Sequence, residues 1–147
     1  ELRAREDILY ENYSKVIDIE AKTMVDIANK KIIPAVEGYV GQLTEIAKNK
    51  IKVFDGMAVA SLEKTLVLKL SALNAEAYEL AEKLKSAASI AAAERAKTRK
   101  YMDSALAYKT NVIPLMEKLR RVVDEMEGIV PAEVWPLPSY GEMTMKQ

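Results

Sequence analysis

Apolar residues repeat every seven positions through the middle of the chain, and neither Gly nor Pro interrupts residues 59–91. Two interleaved series form the repeat: Leu66, Leu73, Leu80 and Ala87, and Leu70, Ala77, Leu84 and Ala91. This spacing places one apolar stripe along one face of a helix. The stripe needs an apolar partner of similar length, so we predict that this helix, beginning near residues 57–59, packs against the rest of the chain.

The first 54 residues have the periodicity expected of that partner helix. Apolar residues recur at spacings of three and four: Leu9, Tyr13, Val16 or Ile17, Met24, Ile27 or Ala28, Ile32, Val36, Tyr39, Leu43, Ile46 and Val53. Because Pro34 removes a backbone hydrogen bond, we expect a kink near residues 30–34, with the helix continuing beyond it. Asp55 and Gly56 are typical turn residues and predict an antiparallel hairpin.

The end of the second helix is open to two interpretations. Ser86 and Ser89 could mark a break that gives four helices, or the helix could continue to Tyr101 and stop at Asp103 and Ser104, either of which could cap the next helix. Within the basic cluster Arg95, Lys97, Arg99 and Lys100, the last three residues favour the later break, because cations in a final turn suit the negative end of a helix dipole.

A third helix is predicted for residues 105–127. Its apolar residues are spaced four, three, four and three apart: Val112, Met116, Leu119, Val123 and Met126. Pro114 predicts an internal kink, although it could instead occupy the first turn of a shorter helix. Gly128 is suited to a left-handed residue just past the helix end.

Residues 129–147 lose the helical period. Pro131, Pro136 and Pro138 disfavour helix, and Trp135 is the only Trp of the chain. We expect an extended tail, with Trp135 buried because a large ring is costly to leave in water. The predicted fold is therefore all-α, a long antiparallel helical hairpin plus a third helix in a three- to four-helix bundle. Residues 1–128 would form the helical domain, and residues 129–147 would dock on it or on a neighbouring subunit.

Helix lengths predict where this bundle is incomplete. At about 1.5 Å per residue, a third helix folding back from residue 101 would end level with Pro34. Beyond it, a two-helix arm of about 28 Å would carry Phe54 and Met57 at its tip. Its apolar stripe would then meet a second subunit: Leu43, Ile46, Leu62 and Leu66.

The composition of the chain argues against some classes of binding partner. The chain has 147 residues, half of them hydrophobic, with 22 basic and 22 acidic residues and no Cys. A net charge of zero provides no general attraction for nucleic acid or an anionic membrane, and no apolar run is long enough for a membrane span. We expect a cytoplasmic protein. Because the chain begins at Glu1 within a helical pattern, we also expect it to be a piece of a longer protein.

No constellation of residues predicts chemistry. The absence of His excludes Ser-His, Cys-His and Glu-x-x-His sites. Glu76, Glu79 and Glu82 could face a hard cation, but Lys83 and Lys85 among them favour a solvated face. The basic cluster could bind phosphate, but it lacks interleaved aromatics and suits a helix end better. The seven Met and seven Tyr are typical of core and rim packing.

The residue pattern therefore predicts no catalytic, cofactor-binding or metal-binding residue in the chain. Whether the chain belongs to an enzyme stays open on this basis. We expect the chain by itself to be strongly helical and to fold without a cofactor.

Four stretches carry a resemblance to the type III glutamine synthetases, the long-subunit bacterial class. The tail at residues 128–143, GIVPAEVWPLPSYGEM, resembles the carboxy-terminal end of that family. Residues 4–36 resemble the helix after its catalytic domain, and residues 111–127, NVIPLMEKLRRVVDEME, resemble its last helix. The Ala-rich segment 86–102 matches only by its pattern.

The resemblance implies a parent enzyme that joins ammonia to glutamate with ATP and a divalent metal such as Mg²⁺, in subunits assembled as stacked rings. The family's metal, nucleotide and glutamate residues lie upstream, so none carries over to this chain, which by itself would lack ligase activity. The leading hypothesis is a non-catalytic C-terminal helical domain that serves subunit contacts through arm and tail in a homo-oligomer. A free-standing coiled-coil interaction module and a bundle that binds metal or a small ligand remain alternatives.

Overall fold

The computed structural model describes residues 1–97 and 100–138, which form helices and turns without a strand. Three helical runs confirm the all-α prediction. The helices are α1 (Leu2–Ile27), α2 (Ile33–Phe54), α3 (Ser61–Lys97), α4 (Tyr101–Ala107) and α5 (Ile113–Glu127). Two π-helical segments and one 3₁₀ turn join them: Ala28–Ile32, Tyr108–Val112 and Met57–Ala60.

The chain forms two compact units. Within the described residues, unit 1 consists of Glu1–Ala28 and Glu79–Arg121, and unit 2 consists of Asn29–Tyr78 and residues 122–138. Each unit has its own buried side chains, so each can be described by itself.

Both internal prolines follow a π-helical segment. Ala28–Ile32 precedes Pro34 by one residue, and Tyr108–Val112 precedes Pro114 in the same way. Proline lacks the N–H that would bond the carbonyl four residues back, and its ring clashes with that carbonyl. The wider π turn accommodates the ring without ending the helix. The prediction that helical structure continues through both prolines is confirmed.

The hairpin turn lies at the predicted residues. Asp55 adopts a left-handed conformation (φ 48°, ψ 58°), which ends α2, and Gly56 is extended. An ion pair between Lys50 and Glu63 joins the two sides, so the helices run antiparallel, as predicted.

The second helix has the later of the two predicted endings. Ser86 and Ser89 lie inside α3, so a break there is wrong. The predicted stop at Asp103 and Ser104 is a few residues too late, because Lys100 (φ −89°, ψ 84°) already leaves the helix and both residues belong to α4. Neither of them caps it: the N-cap residue is Lys100, without a side-chain cap hydrogen bond.

The predicted basic end of the second helix is partly seen. Lys97 occupies the last turn of α3, as predicted, and Arg95 lies in the same turn. Lys100 lies beyond that turn, and Arg99 lies outside the described residues.

The predicted stripe of α3 is the core. Leu70, Ala77 and Leu84 are fully buried, and Leu73, Leu80 and Ala91 are nearly so. On α1 the predicted stripe is partly wrong, because Leu9 and Tyr13 are exposed whereas Ser14, Asp18 and Ala21 are buried. Of the alternatives Val16 and Ile17, Ile17 is the buried residue. The small side chains on this face permit close helix packing.

The third helical run reaches farther than predicted. Lys69 and Glu125 lie 3.9 Å apart, so α5 extends well past the level of Pro34. Part of the difference arises because this run begins at Tyr101, four residues earlier than expected. Leu43 is buried and Leu66 is half-buried, whereas Ile46 and Leu62 are exposed. The uncovered part of the hairpin is therefore limited to the region near its tip.

The chain after α5 turns instead of running straight. Gly128 does not adopt the predicted positive φ, because the N–H groups of Gly128 and Val130 bond the carbonyls of Asp124 and Met126 and prolong the helical turn. The N–H of Trp135 then bonds the carbonyl of Pro131. Trp135 and Val130 are buried, which confirms the predicted burial of the Trp ring.

Two glycines within α2 offer a test of the helical assignment. Gly38 and Gly41 are solvent-exposed, and a Cβ added at either would meet no atom within 4 Å. We expect Gly38→Ala and Gly41→Ala each to raise the free energy of unfolding by about 0.5–1 kcal/mol, because Ala restricts the unfolded chain. Urea denaturation measures this free energy. The reverse change at an exposed position of α3, Ala75→Gly, should lower the free energy of unfolding by a similar amount. Destabilisation by both Ala variants would contradict the assignment.

Candidate functional site

A buried carboxylate links the helices of unit 1. Asp18 of α1 is 5% exposed, and its Oδ1 accepts a hydrogen bond from the Tyr108 hydroxyl at 3.3 Å. Its Oδ2 accepts a hydrogen bond from Lys22 Nζ at 2.7 Å, one helical turn along. A buried carboxylate is costly unless it is paired, and these two donors provide the pairing.

Tyr108 is the centre of this cluster. Its side chain is fully buried, and the Arg95 guanidinium lies over the ring, 6.0 Å from the centroid. Burial, followed by the negative charge of Asp18, raises the pKa of Tyr108 to about 12, while the Arg95 charge opposes the rise. Tyr108 is therefore a hydrogen-bond donor at neutral pH, and its phenol is not poised to act as a base.

Other buried polar atoms in unit 1 lack partners among the described residues. They are Ser14 Oγ, Ser104 Oγ and Arg95 Nη1. Ser14 precedes Asp18 by four residues, and Ser104 precedes Tyr108 by four, so each hydroxyl lies one helical turn before a member of the cluster. This set of buried polar side chains is the feature of unit 1 that sequence reasoning missed.

Next to this cluster, an apolar groove opens between α1 and α4. Its volume is about 460 Å³, and Leu9, Tyr10 and Tyr13 form one wall. Met102, Leu106 and Lys109 line the other wall. Leu9, Met102 and Leu106 are all more than half exposed, so the groove is an uncovered apolar surface. We call these six residues the α1–α4 groove.

Polar pairs also tie the helices of unit 2 together. The buried Asn74 donates hydrogen bonds from Nδ2 to the carbonyl of Ile33 at 3.1 Å and to Glu37 Oε1 at 2.9 Å. Nearer the turn, Lys50 Nζ donates to Glu63 Oε1, and Glu63 is 4% exposed. The hydrogen bond from Lys50, aided by one from the backbone of Glu63, lowers the pKa of the Glu63 carboxyl.

The hairpin tip of unit 2 exposes large apolar side chains. Val53 is 72% exposed, Phe54 and Met57 are each 68% exposed, and Leu62 is 65% exposed. Met57 also borders a pocket of about 160 Å³ whose walls include Ile51, Val67 and the buried Glu63. We call Val53, Phe54, Met57 and Leu62 the apolar tip.

The structure separates the candidates that the sequence suggested. Glu76, Glu79 and Glu82 are exposed, as the solvated-face interpretation predicts. Of the basic cluster, Arg95 turns inward over Tyr108 while Lys97 stays exposed. The Met and Tyr residues divide between core and rim as expected, with Tyr108 and Met126 fully buried and Met57 and Met102 exposed.

No metal-ligand arrangement is found in the described part of the chain. Within residues 1–97 and 100–138, His, Cys, Asp and Glu do not gather in groups of three or more that could hold an ion. The described residues therefore do not fit a magnesium centre, and we assign none to them. Across the same ranges, no helix combines the length of a membrane span with a sufficiently apolar sequence.

The Tyr108 cluster predicts a distinctive alkaline behaviour. A tyrosine whose pKa rises from 10 unfolded to about 12 folded stabilises the protein fully below pH 10, and this contribution is lost as pH rises through 12. The free-energy gap between the parent and Tyr108→Phe should narrow by about 2 kcal/mol between pH 9 and 12, since one pKa unit corresponds to about 1.4 kcal/mol. Urea unfolding at several pH values measures the gap. As a control, the free energies of unfolding of the parent and of Tyr78→Phe, which removes the hydroxyl of an exposed tyrosine, should differ by the same amount at every pH. If the difference between the parent and Tyr108→Phe is also independent of pH, the assignment is wrong.

Comparison with known proteins identifies relatives along the whole chain. Residues 1–52 match the family model described as glutamine synthetase C-terminal domain. A glutamine synthetase from Butyrivibrio fibrisolvens is 31% identical over 147 residues, and one from Bacteroides fragilis (strain YCH46) is 25% identical over 146 residues. The type-3 glutamine synthetase of Dictyostelium discoideum is 30% identical over 146 residues.

These matches cover this chain far more fully than they cover the relatives. Each match includes 97% of this chain, but only 19–20% of the relative. The chain thus spans about a fifth of the length of the curated relatives that it matches. No solved structure gives a significant match to it. The chain is a relative of the glutamine synthetase C-terminal domain, and type-3 glutamine synthetase is among its homologues.

Proposed function

We propose that this chain is the non-catalytic C-terminal helical domain of a longer glutamine synthetase, and that its apolar tip holds neighbouring subunits together. The parent enzyme would join ammonia to glutamate in the cytoplasm with ATP and a divalent metal. Those groups would bind outside this chain, because the described residues lack a metal-ligand arrangement. The supporting comparisons are glutamine synthetases about five times longer than the chain.

The single observation that carries the assembly role is the exposure of the apolar tip. Phe54 and Met57 flank the two-residue turn, so both residues lie at the end of the hairpin. Both are more than two-thirds exposed. Exposed apolar residues grouped at one place favour an interaction site, whereas scattered ones do not.

The construction of the hairpin supports a role in recognition. The Lys50–Glu63 ion pair lies close behind the tip and joins α2 to α3, which keeps the turn in one geometry. A rigid, protruding apolar side chain loses little conformational entropy on binding, and aromatic side chains in the centre of an interface often dominate its energy. Phe54, the only Phe of the chain, is placed to act in this way.

The experiment is a charge substitution at the tip of the full-length synthetase. We expect Phe54→Glu and Met57→Glu together to reduce the oligomer to smaller assemblies, because burying two carboxylates at an apolar contact is costly. Analytical ultracentrifugation measures the mass, and ATP-dependent glutamine formation reports on any activity that depends on assembly. Circular dichroism should show unchanged helix content, since both positions are exposed.

A matched control separates the tip from general surface effects. Leu68 of α3 is 61% exposed in the same unit but lies outside the apolar tip. Leu68→Glu should therefore leave the oligomer intact. If the tip variant assembles like the parent enzyme, the assembly role is wrong.

Two further outcomes would favour the alternative functions. A gene in which an initiator Met lies just before residue 1, with no synthetase coding sequence upstream, would indicate a free-standing interaction module. A rise in thermal stability on adding a divalent metal would indicate a ligand-binding bundle.

A further inference from the structure

The geometry points to a second docking surface: the α1–α4 groove receives an apolar segment from the upstream, catalytic portion of the same polypeptide. This inference rests on the proposed function, because it requires the chain to be part of a longer synthetase. It goes beyond the assembly role, since it concerns a contact within one subunit and a different unit of the chain.

The groove has the dimensions and chemistry of a binding site for side chains. Its volume of about 460 Å³ lies within the usual range of binding pockets, about 300–1,000 Å³. Leu9, Met102 and Leu106 supply apolar contact, and Tyr10, Tyr13 and Lys109 add polar groups. The occupant that fits is an apolar side chain next to a carboxylate or backbone carbonyl that can accept a hydrogen bond from Lys109.

The groove lies near residue 1, which favours the upstream part of the same polypeptide as its occupant. Leu9 lies about 12 Å from residue 1 along α1, at about 1.5 Å per residue. The portion of the relatives that lies outside their match to this chain makes up about four-fifths of their length. A body joined covalently next to the groove reaches it at a high effective concentration, so it occupies the groove in preference to a free partner.

Unit 1 also has exposed apolar residues outside the groove, and these provide control positions. Ile19 of α1 and Ile90 of α3 are 64% and 62% exposed, close to the 68% of Leu9 and the 59% of Met102. Neither of these isoleucines borders the groove. Ile90 is therefore a matched position for measuring whether the groove alone becomes covered.

The experiment uses the absence of Cys from these 147 residues. Met102→Cys is introduced into the full-length synthetase and into the isolated chain, and labelling by a small thiol reagent is followed by mass spectrometry of the peptide containing residue 102. We expect labelling at position 102 to be at least tenfold slower in the full-length protein than in the isolated chain. Ile90→Cys should react at similar rates in both.

The tip variant Phe54→Glu/Met57→Glu distinguishes this inference from the proposed function. Slow labelling at position 102 that persists in dissociated subunits supports docking within one polypeptide. Equal rates in the full-length protein and the isolated chain overturn it, whether or not the tip variant dissociates. Slow labelling that is lost when the subunits dissociate also overturns the inference, because a neighbouring subunit then covers the groove. If labelling of the isolated chain slows as its concentration rises, a second copy of the chain covers the groove, and the inference is again overturned.

Discussion

Close packing of small side chains along α3 is the constraint on which the fold depends. Ala77 and Ala81 are fully buried, and Ala88 and Ala91 are nearly so. On α1, Ala21 is fully buried and Ser14 almost so. Such residues let backbones approach closely, and the tight fit leaves little room for larger side chains. Helical structure therefore has to continue past Pro34 and Pro114 without losing the packed face, and the two π segments achieve this.

Buried polar groups define the register of this packing. Leu and Ala stripes alone would tolerate a shift by one heptad, because each repeat resembles the next. The bonds of Asn74 to Ile33 and Glu37, of Tyr108 to Asp18 and of Lys50 to Glu63 exist in one register only. A shifted arrangement would leave these buried groups unpaired, which is costly, so the polar contacts specify one alignment in each unit.

The sequence was most informative where periodicity is strong and least where small or polar residues occupy the buried face. Periodicity predicted the buried heptads of α3, and turn residues predicted the turn at Asp55 and Gly56. The large apolar ring predicted the burial of Trp135. The buried face of α1 was not predicted, because Ser14 and Asp18 are polar residues typical of a solvent-facing surface, whereas the exposed Leu9 and Tyr13 are typical of a core. One signal was available: Ser14, Ala21 and Ala28 are small residues at heptad spacing, with Asp18 and Val25 between them. The position of the helix break also escaped prediction, since it depends on the backbone of Lys100 and not on a cap residue.

Among the exposed large apolar side chains of the domain are two groups, the apolar tip of unit 2 and the α1–α4 groove of unit 1. We propose the same role for both groups, attachment within a larger assembly, and the relationship to glutamine synthetases supports this proposal. The most direct test of the central claim is photo-crosslinking of the assembled full-length protein, with benzoylphenylalanine in place of Phe54. The account predicts links from position 54 to a second subunit and none from the same probe at position 68. Links confined to one subunit, or equal yields from both positions, would contradict it.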